Sequence, residues 1–208
     1  ILHVAKATGC DAIHPGYGFL AENSELARAC AEAGIVFVGP SPAALDLFGD
    51  KTRARELAES LGVPVLAGRS EAVSEEKAEQ FFAELGGAGM MIKAVGGGGG
   101  RGMRVVREEA ELAEAYARAR SEAGAAFGNN AVYVERLVER ARHVEVQVIG
   151  DATGTVSHLG ERECSIQRRH QKLVEIAPSP SLDAGLRDRI TDAAVQLLSA
   201  GAYEGVGT

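Results

Sequence analysis

Cysteine is scarce in this 208-residue chain: Cys10, Cys30 and Cys164 are the only three. They are irregularly spaced, no CxxC occurs, and no Cys/His set has zinc spacing, which excludes a zinc ribbon or finger. Reduced thiols in a cytoplasmic protein are the expected state. Positive charge is also in deficit: 22 Lys and Arg face 29 Asp and Glu, for a net charge of −7. That balance excludes a general nucleic-acid surface, which needs a basic field to neutralise phosphates. No apolar run approaches the roughly 20 residues of a membrane-spanning helix, and no signal peptide opens the sequence. Repeats and low-complexity tracts are missing as well. Ile1 is not an initiator Met, and the last residues, Tyr203 to Thr208, read as a strand just beginning. The expectation is therefore a piece of a longer protein, cut at both ends.

Glycine, by contrast, is plentiful at 26 residues, and the excess clusters. Around it, strand and helix patterns alternate, which reads as α/β. A strand-like run ends at Ala12-Ile13, followed by the turn-rich His14-Pro15-Gly16-Tyr17-Gly18. Asn23 caps a helix that Gly34 stops, and Ile35 to Val38 reads as a buried strand. Ser41-Pro42 and Asp50 open two further helices, the second ended by Gly62. Val63 to Leu66 reads as a short edge strand because of Pro64.

A second unit follows: a helix from Ser74, a strand Met90 to Ala94, the glycine loop, and a strand Met103 to Val106. A helix from about Glu108 to about Ala123 and a strand Ala131 to Val138 complete it. His143 to Ile149 and Thr155 to Leu159 then read as a hairpin around Gly150 to Gly154. Glu161 to Lys172 has no secondary-structure period. A helix from about Asp183 to about Ala200 closes the pattern.

Gly96 to Gly100 followed by Arg101-Gly102 is the most distinctive run. Consecutive glycines raise the entropy cost of ordering a loop. Their usual use is to let backbone N–H groups close on phosphate oxygens. Gly97, Gly99 and Gly102 match GxGxxG, but a dinucleotide fingerprint needs a helix after the loop, and here a strand follows. A P-loop needs Gly-Lys-Ser/Thr, which is absent. A glycine hairpin that folds over nucleotide phosphates fits what remains, with Lys93 just before it within reach of the same phosphates. A plain surface hairpin is the bland alternative.

Glu161 to Lys172 is almost wholly polar. Polar segments held within a fold build a site or a salt-bridge network. Arg168-Arg169-His170-Gln171-Lys172 is too short, and too diluted by Glu161, Glu163 and Glu175, for a nucleic-acid patch. Converging guanidinium, imidazole and ammonium donors favour an anion site for phosphate or bicarbonate. A solvated charged loop is the bland alternative.

Together these motifs resemble the biotin carboxylase component of biotin-dependent carboxylases. They are His14 to Leu20, Gly49-Asp50-Lys51, Ile92-Lys93-Ala94 with the glycine run through Met103, His143 to Gln147, and Glu161 to Lys172. The resemblance implies a partial ATP-grasp fold, α/β or α+β, carrying the tail of a Rossmann-like N-terminal lobe. Its implied divisions are 1–40 for that tail, 41–64 for a helical linker, 65–137 for the lid subdomain, and 138–208 for the start of the C-terminal lobe.

The implied cofactors are ATP and Mg²⁺ or Mn²⁺, with carrier-bound biotin as substrate. The implied roles follow residue by residue. Lys51 and Lys93 contact the nucleotide phosphates. Gly98, Gly99 and Gly100 form the lid, with Met103 beside the nucleotide. Glu135, Arg136, Leu137 and Val138 hold adenine, and relatives often carry Lys in place of Arg136. His143, Gln167 and His170 line the nucleotide pocket, and Lys172 holds bicarbonate. The metal ligands are expected beyond Thr208, so the 208 residues alone are expected to be inactive.

The implied reaction is carboxylation of biotin through carboxyphosphate. The implied partners are a biotin carboxyl carrier and a carboxyltransferase component, within a homo-oligomer, without nucleic acid or membrane. Two other readings stay open: an ATP-grasp ligase of the carbamoyl-phosphate synthetase type, and a non-catalytic nucleotide-binding module.

Overall fold

A computed structural model describes residues 1–96, 102–168 and 171–208. The chain forms two compact units. Unit 1 gathers Ile1–Val63, Val144–Glu163 and Ile176–Thr208, and unit 2 gathers Pro64–His143 and Cys164–Glu175.

Unit 1 begins with helix α1 (Leu2–Ala7), strand β1 (Ala12–Ile13), a 3₁₀ turn Phe19–Glu22, helix α2 (Ser24–Glu32), strand β2 (Val36–Phe37), and helices α3 (Pro42–Gly49) and α4 (Lys51–Ser60). The caps are those expected. The Asn23 side chain accepts from Leu26 N–H at 2.7 Å, Ser41 from Ala44 N–H at 3.2 Å, and Asp50 from the N–H groups of Thr52 and Arg53. Each satisfies donors a helix start would otherwise leave unpaired.

β1 and β2 pair in parallel. Ala5, Cys30 and Ile35 make a small core with Leu2, Ile13, Leu26 and Phe37 packed on it. The expected buried strand Ile35 to Val38 is only half right. Ile35 is buried, but Val36 and Val38 are exposed, because helices cover one face of this pair alone. α1 was not legible as a helix.

Unit 2 contains β3 (Gly68–Arg69), α5 (Glu75–Glu84), β4 (Met90–Ala94), β5 (Met103–Val106), a 3₁₀ turn Glu109–Glu111, α6 (Leu112–Phe127) and β6 (Val132–Arg136). The expected edge strand at Val63 to Leu66 does not form. Pro64 has no N–H to offer a ladder, and pairing starts only at Gly68 opposite Glu135. The sheet order is β3-β6-β4-β5, antiparallel throughout.

Strict alternation in β4 and β6 sends Met90, Ile92, Val132 and Val134 to one face. There they are fully buried with Phe81, Leu112, Tyr116 and Ala119 from α5 and α6. Burial of each such side chain contributes roughly 1.5–3 kcal/mol. The Tyr116 hydroxyl, carried into this core, donates to the Val73 carbonyl at 2.7 Å. α6 runs four residues past its expected end, and Gly128, at φ +69°, stops it.

The chain then returns to unit 1 with β7 (Val144–Gly150). β8 (Val156–Arg168) follows and runs on past Glu163 into unit 2, where β9 (Gln171–Ile176) lies beside it. Helix α7 (Ala184–Ala200), capped by Asp183, and strand β10 (Gly205–Gly207) complete unit 1. β10 pairs with β7, and β7 with β8.

The described part of the polar stretch, Glu161 to Arg168 and Gln171-Lys172, is therefore strand, against expectation. A register shift opposite Val146/Val148 explains why no period was visible. Gly160 sits there at φ +86°. The irregularity reverses the alternation, so Leu159 is exposed while Glu161, two residues on, is buried. The inward face of β8 then carries carboxylates where hydrophobic residues would mark a strand.

Candidate functional site

The face of the unit 2 sheet turned away from α5 and α6 carries the predicted nucleotide residues. Lys93 stands directly opposite Met103 on β5 and Tyr133 on β6, and Glu135 stands opposite Met91. Directly opposed residues share a face, so Met91, Lys93, Met103, Val105, Tyr133 and Glu135 form one surface. The Lys93 ammonium and the Glu135 carboxylate form an ion pair on it, with side chains 26% and 14% exposed. A half-buried ammonium on a sheet that also offers apolar side chains suits a phosphate beside a flat ring. β4 and β5 are joined through the glycine run. Its Gly98, Gly99 and Gly100, and also His170, lie outside the described residues.

Two glycines fix the frame of this face. Gly102 has φ +67°, and a Cβ there would meet Ala94 Cβ at 2.8 Å; its carbonyl accepts from Ala94 N–H at 3.0 Å. A side chain would force the two strands apart where they leave for the glycine run. At the other end, Leu137 N–H donates to the Gly89 carbonyl at 2.8 Å, and a Cβ on Gly89 would meet Leu137 Cδ2 at 2.8 Å. Arg136 N–H donates to Ala67 O, also at 2.8 Å. Two N–H groups of the predicted adenine-holding run, Glu135 to Val138, thus serve the sheet. Val138 is exposed at its end.

His143 and Gln167, predicted to line the same pocket, meet within unit 2. Gln167 Nε2 lies 2.8 Å from His143 Nδ1 and donates to the Cys164 carbonyl at 2.9 Å. Backbone bonds hold the pair: His143 N–H donates to Ser165 Oγ at 2.8 Å, and Cys164 N–H to the His143 carbonyl at 2.7 Å. Lys172 is exposed on β9. Lys51 belongs to unit 1, at the first position of α4, just after the capping Asp50. In unit 1, His14 to Gly18 line part of a cleft of about 760 Å³ with Phe48, Val146 and Tyr203. His14 Nδ1 shapes that loop by accepting from Gly16 N–H at 3.0 Å.

The sequence reading missed two sets of residues. Met91 and Tyr133 share the Lys93 face, and the alternation of β4 and β6 was signal enough to find them. Ser179, Ser181 and Arg187 carried no signal. They join Glu161 and Glu163, both buried, in one network inside unit 1. Arg187 Nε donates to Glu161 Oε1 at 2.8 Å, and Ser179 N–H to the same oxygen at 3.1 Å. The hydroxyls of Ser179 and Ser181 donate to Glu163 Oε2 at 2.8 and 2.7 Å. The Arg187 hydrogen bond, seconded by backbone N–H groups, holds the Glu161 carboxyl below its ordinary range despite burial. Of the polar stretch, Glu161 and Glu163 therefore build a salt-bridge network, and their oxygens are not part of an anion-binding face.

Residues 50–208 match the family described as "Carbamoyl-phosphate synthase L chain, ATP binding domain", and residues 1–45 match "Biotin carboxylase, N-terminal domain". Over its full length the chain is 56% identical to a pyruvate carboxylase of Bacillus subtilis and 50% identical to the mitochondrial pyruvate carboxylase of Homo sapiens. It spans 18% of the length of each. A biotin carboxylase from Campylobacter jejuni, solved as a complex with an ATP species, superposes with a TM-score of 0.94 at 45% identity, over 99% of this chain and 46% of that one. The biotin carboxylase domain of a Hydrogenobacter thermophilus 2-oxoglutarate carboxylase, solved with MgADP, ADP and bicarbonate, gives 0.93 at 44% identity, over 99% and 45%. With an ATP-binding domain preceded by the N-terminal biotin carboxylase domain, and with the ATP-grasp fold of those structures, the chain belongs to the biotin carboxylase family.

Proposed function

We propose that this chain contributes to the ATP- and bicarbonate-dependent carboxylation of biotin, the first half-reaction of a biotin-dependent carboxylase. Bicarbonate attacks the γ-phosphate of ATP, giving carboxyphosphate and ADP. Carboxyphosphate then gives CO₂ and phosphate, and the ureido nitrogen of biotin bonds to the CO₂ as its N–H proton passes to the released phosphate. Such phosphoryl transfer depends on positioning and charge neutralisation more than on covalent chemistry. Lys93, with Lys51, would neutralise the phosphates, Glu135 to Val138 would receive adenine, and His143 with Gln167 would flank the nucleotide. Lys172 would hold bicarbonate. The lid assignment of 65–137, together with Gly98 to Gly100 and His170, belongs to the same proposal.

The carrying observation is the Lys93–Glu135 pair on the sheet face turned away from α5 and α6, with Lys93 opposite Met103 and just before the glycine run in sequence. Before nucleotide arrives, Glu135 neutralises the ammonium that the phosphates would later claim. A divalent cation would supply further charge neutralisation. Among the described residues, neither unit by itself gathers three His, Cys, Asp or Glu ligand atoms to hold one, so no step here is assigned to it.

The pyruvate carboxylase relatives support pyruvate as the eventual acceptor, with carrier and carboxyltransferase as partners. Cys10, Cys30 and Cys164, none of them in a disulfide, fit a reducing compartment such as the cytoplasm. Among the described residues no helix is long and apolar enough to cross a membrane.

The test is ATP cleavage by a carboxylase of the relatives' length that carries these residues. Cleavage should require bicarbonate and rise on addition of biotin. A rate indifferent to biotin would remove this reading and favour a carbamoyl-phosphate synthetase-like ligase.

A further inference from the structure

Glu161 and Glu163 end the part of β8 that lies in unit 1, and Ser179 and Ser181 follow just after the chain re-enters that unit at Ile176. Between these points the chain runs out along β8 and back along β9, carrying Gln167 and Lys172. The base of this excursion is tied in four ways. Ser179 N–H and Arg187 Nε bind one oxygen of Glu161, and the Ser179 and Ser181 hydroxyls bind one oxygen of Glu163. Arg187 also donates through Nη2 to the Ser179 carbonyl at 3.3 Å, which fixes α7 to the same point.

Two buried carboxylates are a costly way to join a strand to a loop, and apolar packing serves stability as well. What hydrogen-bonded charges add over apolar contacts is direction, because each bond fixes an angle as well as a distance. Past Cys164, which is buried and bonded through its N–H to the His143 carbonyl, the excursion has little burial of its own: Ser165 to Arg168 and Gln171 to Pro178 are all exposed.

We infer that Glu161, Glu163, Ser179, Ser181 and Arg187 form a clamp that positions β8 and β9, and through them Lys172, for bicarbonate. The clamp residues touch no substrate; they are positioning residues. The kinetic half of this inference rests on the assignment of Lys172 to bicarbonate.

The experiment uses Glu163→Gln, Lys172→Ala and the double variant in a carboxylase of the relatives' length carrying this chain, well below melting. Glu163→Gln should raise the KM for bicarbonate at least fivefold and change kcat by less than twofold. In the Lys172→Ala background it should add less than twofold to that KM, because its effect passes through Lys172. Amide hydrogen exchange across Cys164–Arg168 and Gln171–Glu175 should quicken at least tenfold in Glu163→Gln, with or without substrate.

If Glu163→Gln does not fold, Ser181→Ala removes one of the two hydrogen bonds on the same oxygen, and a rise of at least twofold in that KM supports the clamp. Unchanged exchange and an unchanged bicarbonate KM, with only a lower Tm, would make the network merely structural and overturn the inference. If Lys172→Ala leaves the bicarbonate KM unmoved, the bicarbonate assignment falls and the kinetic half with it. The exchange result then decides alone whether the clamp orders the strands.

Discussion

Single side chains carry most of the proposed chemistry, and Lys93 is the most exposed to test. Its ammonium is half-buried and already paired with Glu135, so its position is set before any ligand arrives. Lys93→Ala should raise the apparent KM for ATP at least tenfold, by removing a charged phosphate contact worth roughly 1.5–3 kcal/mol. Steady-state ATP kinetics in a carboxylase carrying this chain would check it, and unchanged kinetics would count against the assignment.

Lys93 was legible from sequence because it precedes a glycine run and sits at a polar position in an apolar strand. Arg187 was not. Its partner Glu161 lies 26 positions away along the chain, and nothing in a helix of mixed polarity marks which arginine turns inward. Ser179 was hidden for the same reason: its value lies in a backbone N–H and a hydroxyl that two distant strand residues happen to face.

Elements differ in how far their sequence betrayed them. Helices with a capping Asn, Ser or Asp were readable to within a residue at their starts, since the cap is a local device. β4 and β6 were readable because alternation is strict and one face is apolar. Ile92→Ala should therefore lower stability by about 2–5 kcal/mol through the cavity it leaves. Met91→Ala, on the opposite face, should cost less than about 1.5 kcal/mol. Denaturant unfolding of both variants would check the face assignment.

β8 escaped notice because its irregularity at Gly160 reversed the alternation and because its buried residues are acids. Those acids predict a pH dependence. The Glu161 carboxyl titrates lower in the folded chain than unfolded, so the unfolded state binds the proton first as pH falls. Its stabilising contribution is whole above about pH 4.3, the ordinary glutamate value, and drains away as pH drops through the lower folded value. Tm should fall as pH drops below about 4.3, and Glu161→Gln should flatten that fall.

On the scale of the whole molecule, charge speaks first. With a net charge of −7, the basic run Arg168 to Lys172 should not retain duplex DNA or RNA at about 0.15 M salt. A gel-shift titration checks this, and retention would reopen the nucleic-acid reading of that run.

The layout of the two units has a consequence for how such a chain is made. The chain crosses between them after residues 63, 143, 163 and 175, so the two units alternate along the sequence instead of following one another. A ribosome delivers every residue of unit 2 by Glu175, while unit 1 still lacks α7 and β10. Domains tend to fold as they emerge. Unit 2 can therefore mature first, and Ser179, Ser181 and Arg187 are among the next residues to arrive. Until they do, Glu161 and Glu163 have no donors from that segment, and the nascent chain carries two acids awaiting burial.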